Sequence, residues 1–160
     1  MRKFVRPGRR ERAIGNNHRN RVRALVSSTA LVAVSTLFAP AMPAQAQTNW
    51  TAAAMSNDWF TAGNWDNGVP TAGHSATLDT VTPFPTVIGG LGASAQIVLV
   101  GNQGTGQLTI QDGGELSSSV GVVGALAGSH GTVTVTGAGS RWVTSGAFVV
   151  GAFGSGTLPA

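Results

Sequence analysis

The chain has 160 residues, enough for about one domain. Lys and Arg number 10 against 6 Asp and Glu, yet nine of those cations fall before residue 24. From residue 47 onward Arg141 alone faces five acids (Asp58, Asp66, Asp79, Asp112 and Glu115), and phosphate binding needs several cations on one face, which excludes nucleic acid as a partner of the body.

Residues 1–23 form a long basic stretch, and Ala24 to Ala39 is an uncharged, mostly apolar run. Pro40 and Pro43 follow, then the triplet Ala44-Gln45-Ala46. Cations, a short apolar core and an A-x-A site predict a secretory signal peptide over 1–46, cleaved to leave Gln47 as the new N-terminus. The export machinery is then the first partner of the chain. A retained anchor is the alternative. Spanning a bilayer takes about 20 apolar residues, and this run is shorter and broken by Ser27, Ser28, Thr29, Ser35 and Thr36. The Arg9-Arg10 pair lies too far upstream of the apolar run for a twin-arginine signal.

The remainder is dense in glycine, with 21 of the 23 glycines at or after residue 47. Each glycine inside a helix costs about 1 kcal/mol relative to alanine, so helices are disfavoured. Cysteine is absent, so stability rests on packing and backbone pairing without disulfides. Residues 47–95 are expected to form an N-terminal β cap or lead-in, containing Trp50, Trp59 and Trp65.

Residues 96–160 repeat. Leu99-Val100-Gly101, Val122-Val123-Gly124 and Val149-Val150-Gly151 share one skeleton, with spacings of 23 and 27 residues between the glycines. After each comes a short turn, then a strand led by Gly106, Gly131 or Gly156. Gly101 to Gly151 therefore reads as a 50-residue double rung. Leu108 and Ile110, and likewise Val133 and Val135, alternate with Thr109 and Thr134, which is the period of a strand. The prediction is a solenoid of stacked strands, with Val100, Val123 and Val150 in one ladder and Leu108, Val133 and Leu158 in another. The alternative is an antiparallel β-sandwich whose similarity is coincidental.

Two blocks carry a resemblance. Gly104 to Gly114 reads GxGxLTIxxGG, and Gly128 to Trp142 reads GSxGTVTVTGxGSxW. These are similar to the passenger repeat of type V secretion autotransporters, and to related repeats in PEP-CTERM surface proteins. The head, with Trp59, Asn64-Trp65, Gly68-Val69-Pro70 and Ala76-Thr77-Leu78, resembles the lead-in of such proteins. The resemblance implies a right-handed parallel β-helix on a Gram-negative cell surface or outer membrane, serving as an adhesin-like stalk. Such proteins end in a membrane β-barrel or a sorting tail, whereas this sequence stops at Thr157-Leu158-Pro159-Ala160. It therefore reads as a truncated chain, destined for the periplasm or the medium, whose open β edge favours self-association.

Catalytic constellations are sparse. Glycosidases place two carboxylates across one bond, while Asp112 and Glu115 bracket the Gly113-Gly114 turn and are expected to solvate it. Asp58 and Asp66 sit among tryptophans that either stack on a carbohydrate or pack as a buried cap. His74 and His130 have no neighbours at metal-ligand spacing, and His130 is expected in the loop before a strand. Arg141 either binds an acidic ligand or pairs with a nearby carboxylate. Neither a nucleophile elbow, a phosphate-binding loop nor a calcium nonapeptide is present. The expected function is a non-enzymatic secreted surface protein without a cofactor, whose ligand is an unspecified extracellular or carbohydrate surface. The alternative is a fragment of a secreted carbohydrate-active β-helix enzyme. Trp142 is expected to pack over the end or side of the solenoid as an apolar cover.

Overall fold

A computed structural model describes residues 46–159. Residues 1–45 of the expected signal segment, with Ala44 of its cleavage triplet, lie outside the described residues. Ala46 and Gln47 lie inside them, at the start of the first strand.

Alternating Thr and Val with glycine punctuation gives strands throughout, as β propensity dictates. They are β1 (Ala46–Asn49), β2 (His74–Leu78), β3 (Thr86–Ile88), β4 (Ala93–Val100), β5 (Thr105–Ile110), β6 (Glu115–Val123), β7 (His130–Val135), β8 (Arg141–Thr144), β9 (Phe148–Val150) and β10 (Ser155–Thr157). One 3-10 turn, Ala62–Asn64, interrupts the loop between β1 and β2, and the described residues contain no α-helix. Every strand pair is parallel. One sheet runs β1-β2-β4-β6-β8 with β9 also on β6, and the other runs β10-β7-β5-β3. Consecutive strands of each sheet belong to successive turns of the chain. This is a parallel β-solenoid, not a sandwich.

Each full coil has three sides. Buried positions in β4 run Ala93, Ala95, then Val98, Val100; in β6 they run Leu116, Ser118, then Gly121, Val123. A strand that keeps one face inward buries every second residue. The longer step from Ala95 to Val98, and from Ser118 to Gly121, marks a corner inside each strand. In the next coil the same corner is a break, Ser145 to Ala147, between β8 and β9.

The side chains that point inward stack in register. Val100 pairs with Val123 and Val123 with Val150, while Leu108 pairs with Val133. The expected Leu158 rung falls one residue past β10, whose pairing ends with Thr157 opposite Thr132. Leu78, Val98, Val100, Ile88, Leu108, Ile110, Leu116 and Val123 are fully buried. Burial of such a side chain contributes about 1.5–3 kcal/mol, so these ladders supply most of the favourable term.

Two sets of glycines make the stacking possible. Gly101, Gly124 and Gly151 occupy the same corner with φ of 71°, 74° and 69°, a region that side chains disfavour. Their N–H groups donate to the carbonyls of Leu78, Val100 and Val123 in the coil before, at 2.9, 2.9 and 2.7 Å. Gly106, Gly131 and Gly156 stack beneath those same carbonyls, and a Cβ on any of them would collide with the oxygen. The Gly101-to-Gly151 unit spans two coils of this kind.

Residues 47–95 contain β1, β2, β3 and the first part of β4, which join the same two sheets, together with a cap. The Trp50–Gly73 loop folds over the core, and Trp59 and Val87 are tied by Trp59 N to Val87 O at 2.9 Å. Trp65 meets Trp50 and Trp59 edge-on, with ring centroids 5.2 and 4.8 Å apart. All three rings are buried, so the packed-cap reading of these tryptophans holds. The buried Asn64 amide organises the loop, donating to Ser56 Oγ at 2.8 Å and accepting from Ala54 N at 3.2 Å.

The crowding at the inner glycines is directly measurable. Gly131→Ala should lose about 3 kcal/mol in urea unfolding, the upper range for overpacking. Gly128→Ala, where φ is 82° but nothing lies within 4 Å of the added carbon, should lose only about 1 kcal/mol of backbone strain.

Candidate functional site

The coil furthest from the cap presents an open cleft of about 430 Å³. Its walls are Trp142, Phe148, Val133, Val135 and Leu158, with Arg141 at the rim. That volume lies within the range of small-ligand sites. Trp142 is in register with Leu116 of the coil before and is packed against the core while remaining half-exposed. Phe148 meets its ring at right angles, with centroids 5.0 Å apart. The Trp142 Nε1–H donates to Ser118 Oγ at 2.9 Å, which fixes the indole. Trp142 is thus a cover over the side of the core, as its position in the repeat implies.

Phe148 was not legible as its partner, although a signal exists. Gly121 occupies the rung where the coil before carries Val98. A Cβ at Gly121 would press on both the Phe148 and Trp142 rings, so this glycine opens the space they fill.

Arg141 and Glu115 are opposite each other on β8 and β6, and form an ion pair at 2.6 Å. The carboxylate that could have faced Asp112 across the turn is therefore committed to the guanidinium. Asp112 is exposed, with φ of 53°, and accepts only from its neighbour Gln111 Nε2, at 3.2 Å. The structure places both acids at the same turn, joins neither to a second acid, and gives Glu115 to Arg141.

The other sequence candidates lie apart from the cleft. Gly101, Gly106, Gly124, Gly131, Gly151 and Gly156 are architectural, as described above. His130 is the first residue of β7 rather than a loop residue, because its backbone pairs with Thr105 and Ser155 on either side. Its side chain is exposed. His74 Nδ1 accepts from Thr71 N at 3.1 Å, closing a local turn. Asp58 caps the Trp59–Thr61 bend through Phe60 N at 3.3 Å and Thr61 Oγ1 at 3.0 Å. Among the described residues no three His, Cys, Asp or Glu side chains converge.

Two acids have positioning roles that spacing alone did not reveal. Asp79 reaches into the next coil and accepts from the backbone N–H groups of Asn102 and Gln103. Asp66 accepts from Asn49 N and from Asn49 Nδ2, both at 2.7 Å. Those two bonds, backbone first, hold the Asp66 carboxyl below the usual carboxylate range.

A second shallow groove, about 350 Å³, is floored by Ser94, Ser117, Ser119 and Ser145 beside Val143. It offers hydroxyls without charge. Among the described residues, these two concave surfaces can stack or hydrogen-bond a ligand, and neither is lined by a carboxylate. No protein-family model matches the chain, and neither a curated protein nor a solved structure matches it.

Two outcomes test these assignments. Trp142→Ala removes a half-buried ring and should cost about 2 kcal/mol, below the range for fully buried aromatics. The loss should appear in the repeat coils before the tryptophan cap, whereas Arg141→Ala should stay within about 0.5 kcal/mol for an exposed pair. Asp66 governs the acid side. Its lowered folded-state value means that its contribution is complete above the ordinary carboxylate range and is lost as pH falls through the folded value. Cap fluorescence should therefore change on acidification, and Asp66→Asn should flatten that dependence.

Proposed function

We propose that this chain is a non-enzymatic, exported surface protein, a passenger-type β-solenoid similar to those of type V secretion autotransporters. The observation that supports this reading most is the match between repeat and coil. The blocks that carry the resemblance, Gly104 to Gly114 and Gly128 to Trp142, each trace a strand and the turn after it at equivalent places in successive coils, and the second runs on into β8. Solenoids of this kind serve by presenting long regular flanks, and every coil adds flank without adding chemistry. The ligand class that fits the cleft is a surface carbohydrate or apolar group stacking on Trp142 and Phe148.

Export is the first step of this function. Cleavage after Ala46 leaves Gln47 as the N-terminus, and β1 then keeps Gln47, Thr48 and Asn49 paired with Ser75, Ala76 and Thr77. Expression of the full chain in a Gram-negative host, followed by fractionation and mass spectrometry, tests it. The expected product begins at Gln47 and is found outside the inner membrane. An intact Met1 on membrane-bound or cytoplasmic material would overturn the proposal.

A further inference from the structure

The loop that returns to β1 contains Asn67 followed by Gly68, the only Asn-Gly pair in the sequence. Asn67 is exposed, and Gly68 has φ of 79°. A side chain at Gly68 would meet nothing within 4 Å, so the space around this peptide is open. The Gly68 N–H makes no backbone hydrogen bond among the described residues. Every other asparagine precedes a residue with a side chain, and Asn64 is buried with its amide fully engaged.

We propose that Asn67 is a modification site at which the chain deamidates itself. The Gly68 backbone nitrogen, having given its proton to hydroxide, attacks Asn67 Cγ. A new N–C bond closes a cyclic imide, the bond from Cγ to Nδ2 breaks, and the nitrogen leaves as ammonia after taking a proton from water. Water then adds to one of the two imide carbonyls and opens the ring. The products are aspartate or isoaspartate, and water is the sole co-reactant. Glycine matters because it puts no Cβ in the path of ring closure.

The position makes this more than surface ageing. Asn67 Nδ2 donates to Gln47 O at 2.9 Å, and Thr48 Oγ1 donates to Gly68 O at 2.8 Å. On the other side of Asn67, Asp66 N donates to Asn49 O at 3.1 Å and Asp66 accepts both Asn49 bonds. Residues 66–68 are therefore the clasp on β1. Aspartate at 67 replaces a donor by an anion facing the Gln47 carbonyl and beside the Asp66 carboxylate. Isoaspartate also lengthens the main chain between the Asp66 and Gly68 contacts, so both cannot keep their partners. Either product loosens β1 from the cap.

The test uses the folded full chain, held in mildly alkaline buffer and sampled by peptide mass spectrometry. Asn67 should exchange its amide for a carboxyl, with an isoaspartyl fraction, about tenfold or more faster than Asn49, Asn57 or Asn102. Amide hydrogen exchange at Gln47–Asn49 should rise in parallel. Asn67→Asp should show that rise without ageing, and Asn67→Gln should not acquire it. If Asn67 stays intact in the folded chain while reacting in denaturant, or reacts no faster than the other asparagines, the site is not one. Conversion with unchanged exchange at β1 would overturn the clasp.

Discussion

One backbone carbonyl per coil carries the architecture. Leu78, Val100 and Val123 each end an inner strand run, and each carbonyl accepts a hydrogen bond from the corner glycine one coil later. The same oxygen occupies the space a Cβ would need at an inward glycine, Gly106, Gly131 or Gly156. Two requirements meet at a single atom: a left-handed corner, and a position without Cβ. Satisfying both lets adjacent coils approach to the ladder spacing of about 4.8 Å, and the apolar ladders follow from that approach. With wider spacing the Val and Leu rungs would lose their contacts. The hydrophobic core is therefore a consequence of glycine placement as much as of hydrophobic residues.

The two ends of the coil stack are finished differently. At one end the three tryptophan rings and the Asn64 network close the core. That closure is not complete, because Trp59 Nε1 and Thr86 Oγ1 are buried without a partner, and each such group has a cost. At the other end Trp142 and Phe148 shield one side only, and β8, β9 and β10 are each paired along one edge among the described strands. Phe148, Val149 and Val150 are each about two-fifths exposed, at 39%, 38% and 41%. Among the described residues, the tryptophan cap covers the core at one end, while the last coil keeps these apolar side chains partly exposed.

Much of this was legible because it repeats. The Val-Gly skeleton at 101, 124 and 151 located the corner, the Thr-Val alternation located β5 and β7, and Arg141 found the nearby carboxylate expected of a lone cation. The corner inside β4 and β6 was not legible, since it consists of a phase shift at Ala95–Val98 and Ser118–Gly121, with neither glycine nor proline in the first and only Gly121, at its far end, in the second. Asp79 and Asp66 were opaque for another reason. Each acts across a whole coil or loop on backbone N–H groups, which leave no trace in side-chain spacing. His130 was misplaced by one residue because strand ends are decided by the neighbouring coil, not by local propensity. The candidate site was half legible: Trp142 stood out in its block, and Phe148 needed the stacked Gly121 to make sense.

These features converge on a parallel β-solenoid whose coils depend on one another for their packing. Stability is handed from coil to coil along the stack. Native-state hydrogen exchange resolved by strand tests this most directly. The strongest protection is expected in β4, β5 and β6, in the middle of the stack with a paired strand on both edges, with a decline through β7, whose outer neighbour is the three-residue β10, to β9 and β10, paired on one edge. Uniform protection along the chain, or protection in β9 and β10 equal to that in β4, would contradict it.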